Sequence, residues 1–96
     1  MLDGDKISDK ALQDAWLYAD YSGVRGDWRK KVRRVLNALD IAVAPSELAI
    51  PGYKFHALTG DRKGTFAVSI SKNWRITFRW DDAGPYDVKM EDYHGR

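Results

Sequence analysis

The sequence predicts an α+β fold, in which two N-terminal helices pack on one face of a small, mostly antiparallel sheet of four to five strands. Two observations support this prediction. Hydrophobic residues recur at three- and four-residue spacing in the first half of the chain, and they alternate with polar residues in the second half. Short turn-like segments separate the alternating runs, which is typical of antiparallel connections. We expect residues 1–96 to form one domain.

The first half of the chain has the spacing of two amphipathic helices. The first is predicted to begin after Ser8 or Asp9 as N-cap and to end before Gly23 and Gly26. The second is predicted over residues 27–43, with Asp27 as its N-cap. Its apolar stripe is formed by Trp28, Val32, Val35, Leu36, Leu39 and Val43. Its opposite face is strongly basic and carries Arg29, Lys30, Arg33 and Arg34.

The second half alternates apolar and polar residues in four runs, which we predict to be strands at residues 53–58, 66–71, 74–80 and 86–91. The connecting turns are expected at residues 60–64, 72–73 and 81–84, where Gly, Asp and Asn occur. Apolar side chains should face the helices, including those of Trp74, Trp80 and Tyr86. Residues around Lys6 and Ile7 are expected to add a short edge strand.

The composition excludes several classes of protein. Hydrophobic residues make up 44% of the chain and charged residues 31%, which is typical of a globular protein. There is no cysteine, so disulfides and thiolate metal sites are excluded. No apolar run approaches the ~20 residues that span a bilayer, and the acidic N-terminus lacks the apolar stretch of a signal peptide. We therefore expect a cytoplasmic protein with no membrane partner.

Charge is arranged in blocks, although the net charge is only +2. Residues 25–34 hold six basic side chains and one acidic, and residues 54–79 repeat that ratio. Residues 1–24 and 81–92 are mainly acidic. Cationic blocks of this kind suit a polyanionic partner, although ordinary solvated surface explains the charge equally well.

The outward face of the predicted sheet is the main functional signal. An exposed face of an antiparallel sheet is normally polar, but it requires neither a histidine nor several arginines. The mixture here favours a ligand with phosphate and hydroxyl groups. Alternatively, Arg75 could pair with Asp87 or Glu91 across the strands. The face gathers Lys54, His56, Ser69, Ser71, Arg75, Thr77, Arg79, Asp87, Lys89 and Glu91.

These residue types are compatible with RNA cleavage, a reaction that needs no metal in principle. The chain has two histidines, no cysteine and no His-Glu-x-x-His motif, so no metal or other cofactor is expected. Attack of a 2′-hydroxyl on the adjacent phosphate needs a general base, a general acid and a cation for the phosphorane. Histidine suits either proton role, and arginine can bind two phosphate oxygens together. His56 and Arg75 are the candidates, while pattern alone indicates only a frayed terminus for residues 92–94.

An ordered series of short motifs fills the second half of the chain. It comprises Gly52-Tyr53-Lys54-Phe55-His56-Ala57-Leu58, Gly60-Asp61-Arg62-Lys63-Gly64, Val68-Ser69-Ile70, Asn73-Trp74-Arg75-Ile76-Thr77-Phe78-Arg79-Trp80, Tyr86-Asp87-Val88 and Glu91-Asp92-Tyr93-His94. This series resembles the HigB toxins, a branch of the RelE superfamily of RNA-cutting toxins. The resemblance implies cleavage of messenger RNA in the ribosomal A site. It also implies neutralisation by a cognate DNA-binding antitoxin of the HigA type.

The resemblance assigns roles to individual residues by position. It makes His56 a catalytic histidine, and it makes Arg75 the ligand of the scissile phosphate. Asp92, Tyr93 and His94 would complete the catalytic site from the C-terminal segment. The residues expected to bind RNA are Lys54, Arg62, Lys63, Lys72 and Arg79.

Two other interpretations stay open. A non-catalytic RNA- or ribosome-binding module would use the same basic blocks through phosphate contacts. Such a module would not need the titratable groups of His56 and residues 92–94, which is how the two classes differ. The basic face of the second helix could serve the antitoxin as well as ribosomal RNA, because charge attracts both.

Overall fold

The computed structural model describes residues 1–92, in which two α-helices cover one face of a four-stranded antiparallel sheet. This arrangement confirms the predicted α+β architecture. The strands follow one another in the order β1-β2-β3-β4. The elements are α1 at Lys10–Tyr18, α2 at Arg29–Ile41, β1 at His56–Ala57, β2 at Thr65–Ser69, β3 at Trp74–Asp81 and β4 at Gly84–Asp92.

The apolar core lies between the helices and the sheet, because each element has one apolar face to bury. Phe78 is fully buried at its centre, with its ring centroid 5.7 Å from that of Phe66 and 6.3 Å from that of Trp80. Trp74 is half-buried, and its ring lies 5.5 Å from that of Trp28. The helices and strands contribute the buried residues Leu12, Ala15, Val32, Val35, Leu36, Leu39, Val68, Ile76 and Val88.

The start of α1 is tied to the sheet by its capping residue. The Asp9 carboxylate accepts hydrogen bonds from the backbone N–H groups of Ala11 at 2.9 Å and Leu12 at 3.3 Å. Its other oxygen accepts one from the Met90 N–H of β4 at 3.1 Å. The predicted capping of the first helix is thus confirmed at Asp9, which also fixes the helix against the edge strand.

The predicted bounds of the second helix are wrong at both ends. Asp27 lies in a preceding 3-10 turn and pairs with Arg25 at 2.9 Å, so it does not cap α2. The N-cap is Trp28, whose side chain makes no capping hydrogen bond. The helix ends at Ile41, and Val43 is 82% exposed instead of continuing the buried stripe.

The first predicted strand is shorter than the alternation suggested. Lys54 has a φ of 52°, a left-handed conformation that interrupts an extended strand. Only His56–Ala57 forms a regular strand. The neighbouring segment still pairs with β2, because the Tyr53 carbonyl accepts a hydrogen bond from the Ser69 N–H at 2.7 Å.

A bulge in β4 reverses the predicted orientation of Tyr86. Thr77 pairs with Lys89, but Arg79 pairs with Tyr86, so β4 holds one extra residue between these pairs. Asp87 has a φ of 51° at this point. Tyr86 therefore shares the outward face with Arg79, whose guanidinium lies 5.8 Å from the ring centroid. The expectation that Tyr86 faces the helices is wrong, because the extra residue shifts the alternation by one position.

The N-terminal segment reaches the free edge of the sheet but does not form a full strand there. Ile7 makes a single parallel bridge to Val88 of β4. The Ser8 N–H donates to the Val88 carbonyl at 2.8 Å. The expected edge strand is therefore reduced to one bridge beside the Asp87 bulge.

Candidate active site

Strand pairing arranges the outward face in rows of side chains that run across the sheet. Paired residues of antiparallel strands share a face, so each row can be read from the register. His56 lies on β1 and Arg75 on β3, two strands away and in the neighbouring row. Their Cα atoms are therefore about 12 Å apart. The rows are Ser69, Arg75 and Glu91; His56, Ala67, Thr77 and Lys89; and Thr65, Arg79 and Tyr86.

The centre of this face is covered, although the sequence predicted an exposed polar surface. Ala67 and Thr77 are fully buried, and Thr65 is 7% exposed. The buried Thr77 hydroxyl donates a hydrogen bond to Glu91, so it has a hydrogen-bond partner although water does not reach it. The exposed part of the face therefore lies around this buried centre, at His56 and at the ends of the strands.

Glu91 is the hub of an ion-pair network. Its carboxylate accepts two hydrogen bonds from Arg62, at 3.1 Å and 2.7 Å, in addition to the one from Thr77. Arg75 Nη2 lies 3.7 Å from Glu91 Oε1. Burial raises the pKa of the Glu91 carboxyl, but the hydrogen bonds from Arg62 and Thr77 outweigh it, so the net pKa is lowered. The hydrogen bond to Glu91 raises the pKa of Arg62.

This network fixes the position of Arg75. The Arg75 side chain is 15% exposed and lies against a carboxylate that is itself 19% exposed. The alternative interpretation of Arg75 as a cross-strand partner of Glu91 is therefore correct as a contact. The contact does not exclude the expected role in phosphate binding, because Arg62 supplies two closer contacts, at 3.1 Å and 2.7 Å, to the same carboxylate. A guanidinium has five N–H donors, so it can serve both partners.

Arg62 was expected to bind RNA, but its terminal nitrogens both donate to Glu91. It comes from the 3-10 turn Gly60–Arg62 between β1 and β2 and reaches across the face to β4. The observed contact of Arg62 positions the Glu91 carboxylate. The expected contact of Arg62 with RNA stays a prediction.

His56 lies at the exposed side of the face with a defined hydrogen bond. Its Nδ1 is 2.9 Å from the Lys54 carbonyl oxygen. A carbonyl can only accept, so this contact requires the hydrogen on Nδ1. In the neutral ring, Nε2 then has the free lone pair and can accept a proton. The left-handed conformation of Lys54 is what turns its carbonyl toward the ring of the residue two positions on.

The C-terminal residues of the predicted site are only partly described. Asp92 pairs with Trp74, so its register position lies on the helix-facing side of the sheet. Arg75, one residue further along β3, lies on the opposite side. The structure therefore does not bring Asp92 into the row of Arg75 and Glu91. Tyr93 and His94 lie outside the described residues. The catalytic roles expected of all three stay predictions.

The remaining predicted RNA ligands are spread around the site. Arg79 is exposed over the ring of Tyr86 in the third row, and Lys63 is exposed directly after the 3-10 turn. Lys54 and Lys72 lie together in an open groove of about 490 Å³, where Lys31 of α2 joins them. The sequence analysis did not include Lys31 among the candidate site residues. Its position directly before Val32, on the border between the apolar stripe and the basic face, was the available signal.

Two features that the described residues lack concern metals and membranes. Within residues 1–92, no group of three or more His, Asp or Glu side chains is placed to hold a metal ion. No helix in the same part of the chain combines the length and apolar character needed to cross a bilayer.

Comparison with known proteins identifies the class to which this fold and face belong. Residues 5–94 match the sequence model of the family described as the RelE-like toxin of the type II toxin-antitoxin system HigB. The chain therefore belongs to the HigB-like toxins of the RelE superfamily, which confirms the resemblance found in its motifs. Membership of a toxin–antitoxin system implies an antitoxin partner.

Two relatives show how similar the chain is to named members. It is 38% identical over 73 residues to "Endoribonuclease HigB" of Proteus vulgaris, covering 76% of this chain and 79% of that protein. It is 42% identical over 61 residues to "Toxin HigB-1" of Vibrio cholerae serotype O1, covering 62% of this chain and 64% of that protein.

Proposed function

We propose that this chain is an endoribonuclease toxin that cleaves translated messenger RNA in the ribosomal A site, without a metal, by attack of the RNA 2′-hydroxyl. The observation that carries the proposal is one sheet face that holds both an arginine positioned against Glu91 and an exposed histidine whose Nδ1 donates to the Lys54 carbonyl. The similarity to a relative named as an endoribonuclease supports the same activity.

The proposed reaction is a transesterification at phosphorus. A base takes the proton of the 2′-hydroxyl, and the resulting oxygen attacks the adjacent phosphate. The bond from phosphorus to the 5′-oxygen then breaks, and an acid gives that oxygen a proton. The products are a 2′,3′-cyclic phosphate and a 5′-hydroxyl end, so no water, metal or redox partner is consumed.

The residues of the face fit these roles. His56 Nε2 can accept the 2′-hydroxyl proton, because its Nδ1 donates to the Lys54 carbonyl. Arg75 can bind the charge that develops on the phosphorane oxygens, because it lies beforehand against Glu91, which Arg62 in turn positions. The C-terminal His94 or Tyr93 is the proposed second proton donor or acceptor, and which histidine acts as base is left to experiment.

The test is controlled expression of the chain in growing cells, with cuts in messenger RNA mapped by primer extension. Wild type should arrest growth and cut inside translated frames. His56→Ala and Arg75→Ala should each lower cleavage by about 10²–10⁴-fold, as expected for loss of a proton-transfer or charge-stabilising group. Lys10→Ala is the matched control, because among residues 1–92 this exposed lysine forms its ion pair with Asp14 on α1.

Two results would contradict the proposal. Full toxicity in a folded His56→Ala or Arg75→Ala variant would remove that residue from the mechanism, with folding checked by circular dichroism. Normal growth and intact messages with the wild-type chain would favour the alternative, a non-catalytic module that binds RNA or the ribosome through its basic blocks.

The basic face of α2 is the proposed contact for a macromolecular partner in the cytoplasm. Arg29, Lys30, Arg33 and Arg34 are all exposed along it. Both an antitoxin of the HigA type and ribosomal RNA remain candidates for this surface. A double substitution of Arg33 and Arg34 by glutamine separates them. Toxicity kept with neutralisation lost indicates the antitoxin, whereas reduced toxicity with neutralisation kept indicates the ribosome.

A further inference from the structure

Three lysines from separate parts of the chain line one open groove at the end of the sheet. Lys31 comes from α2, Lys54 from the loop before β1, and Lys72 from the turn between β2 and β3. Ser69 and Ser71 also line the groove, and the Ser69 hydroxyl donates a hydrogen bond to the Ser71 carbonyl at 3.1 Å. None of the described residues that line the groove is acidic. The groove therefore has the donors and the charge to hold an anion.

Two contacts order the side chain of Lys31, which is half-buried beside the groove. Its ammonium donates a hydrogen bond to the Gly52 carbonyl at 3.0 Å and lies 5.7 Å from the centroid of the Tyr53 ring. These contacts order the side chain but do not neutralise its charge. Partial burial and the nearby Lys54 lower the pKa of Lys31. Proximity to another cation is unfavourable in the free protein, and an anion between them would relieve it.

Carboxylates do not compensate these charges within the part of the chain that the structure describes. The ion pairs of residues 1–92 involve Lys10, Arg25, Arg62, Arg75 and Lys89, and none involves a lysine of the groove. This differs from the centre of the outward face, where Glu91 balances Arg62. The groove lysines are therefore available to an external anion.

The groove adjoins the row that holds Arg75. Ser69 lines the groove and is also the register partner of Arg75 on the neighbouring strand. Directly paired residues have Cα atoms about 5 Å apart, so an anion in the groove would lie close to the phosphate that Arg75 is proposed to bind.

We propose that the groove formed by Lys31, Lys54 and Lys72 binds a backbone phosphate of single-stranded RNA adjacent to the scissile phosphate. The assignment rests on the proposed function, because that RNA is the substrate. A lysine acts on phosphate as a point charge without reading the base, so this subsite contributes affinity rather than sequence preference. It adds Lys31 of α2 to the RNA-contacting surface.

The test measures binding of a fluorescein-labelled, 2′-O-methyl single-stranded RNA of about eight nucleotides, which cannot be cleaved by 2′-hydroxyl attack. Fluorescence anisotropy is followed over a series of salt concentrations. Lys31→Met should weaken binding about 3- to 10-fold and reduce the salt slope by about one unit, and Lys31→Arg should restore both. Lys10→Met, the loss of an exposed lysine far from the groove in sequence, should leave both unchanged.

A second variant separates loss of charge from loss of structure. Lys31→Met also removes the hydrogen bond to Gly52, whereas Lys54→Met removes only charge from the groove because the Lys54 backbone makes the contact with His56. Lys54→Met should lower affinity and salt slope in the same way. The groove proposal fails if the wild-type chain does not bind the RNA at low salt, or if both lysine variants bind like Lys10→Met.

The outcome is independent of whether the chain cuts RNA, because the probe is uncleavable. A chain that cuts messages while Lys31→Met and Lys54→Met bind normally would overturn the groove and retain the nuclease. A chain that cuts nothing while both variants lose affinity would overturn the nuclease and retain the groove as a phosphate site.

Discussion

Replacing Glu91 by glutamine tests whether the network on the outward face stabilises the fold through charge. Glutamine has nearly the same shape as glutamate, but it has one acceptor oxygen and no charge. The variant cannot accept the two charge-assisted bonds from Arg62 and the bond from Thr77 together. Because Thr77 is fully buried, a lost partner for its hydroxyl cannot be replaced readily by water.

The expected loss follows from these contacts. Hydrogen bonds to charged groups contribute about 1.5–3 kcal/mol and neutral ones about 0.5–1.5 kcal/mol. The Arg62 side chain is 40% exposed, so solvent screening places its share at the lower end. We expect Glu91→Gln to lower the free energy of unfolding by about 1–2 kcal/mol at pH 7. With a denaturant slope of about 1 kcal/mol per molar urea, the midpoint should fall by about 1–2 M.

The pH dependence gives the sharper result. The folded-state pKa of Glu91 lies below its ordinary value, so the stabilisation is present above the unfolded pKa of about 4.3 and is lost as the pH falls through the folded value. In acid the wild-type side chain becomes protonated and neutral, like glutamine. The difference between wild type and Glu91→Gln should therefore shrink as the pH falls from 7 toward 3.

The assay is urea unfolding followed by the fluorescence of the four tryptophans, at a series of pH values. The matched control is Glu47→Gln, at the other glutamate of the chain. Glu47 is exposed and accepts a hydrogen bond from the Val43 N–H at 3.0 Å, which a glutamine oxygen can also accept. The reasoning is refuted if Glu91→Gln is as stable as wild type at pH 7, or if its deficit is the same at pH 7 and in acid.

Two further predictions concern the ends of α1. Asp9→Ala should destabilise the chain by about 1–3 kcal/mol, measured by the urea midpoint, because it removes the helix cap and leaves the Met90 N–H of β4 without its acceptor. Ala19→Gly should stabilise it by about 0.5–1 kcal/mol, measured as a rise in the thermal midpoint. Ala19 has a φ of 54°, where glycine avoids a steric cost that exceeds its extra flexibility in the unfolded chain.

Each of these has a comparison variant. Asp3→Ala removes a single exposed hydrogen bond to the Asp5 N–H, so it should cost less than about 1 kcal/mol. An equal loss in Asp3→Ala and Asp9→Ala would contradict the structural role of the Asp9 cap. Ala49 has a φ of −78°, so Ala49→Gly should lower stability where Ala19→Gly raises it. The same direction of change at both alanines would contradict the argument from conformation.

Local patterns in the sequence were enough to predict the elements of this protein. Helical spacing marks the faces of α1 and α2, and alternation marks the strands, because each periodicity follows directly from backbone geometry. The same alternation predicted that His56 and Arg75 share the outward face, which the register confirms. The motif series was specific enough to predict the toxin family.

Other features depend on contacts between distant residues, and local patterns do not encode them. The bulge at Asp87 reverses the orientation of the Tyr86 side chain. One extra residue in β4 moves each preceding side chain of that strand to the opposite face of the sheet. Predicted helix ends also failed at Asp27 and Val43, where packing of the preceding turn and the following chain decided the bounds.

The fold class and the family could be predicted from the sequence alone, and so could the shared outward face of His56 and Arg75. The contacts that support these residues became visible only in the folded chain. Arg62 meets Glu91 across 29 positions of sequence, and Lys31 meets Lys54 and Lys72 from a helix rather than from the sheet. Periodicity specifies only the direction in which a side chain points. Which charges become neighbours depends on strand register, turn conformation and helix placement, which arise only when the whole chain packs.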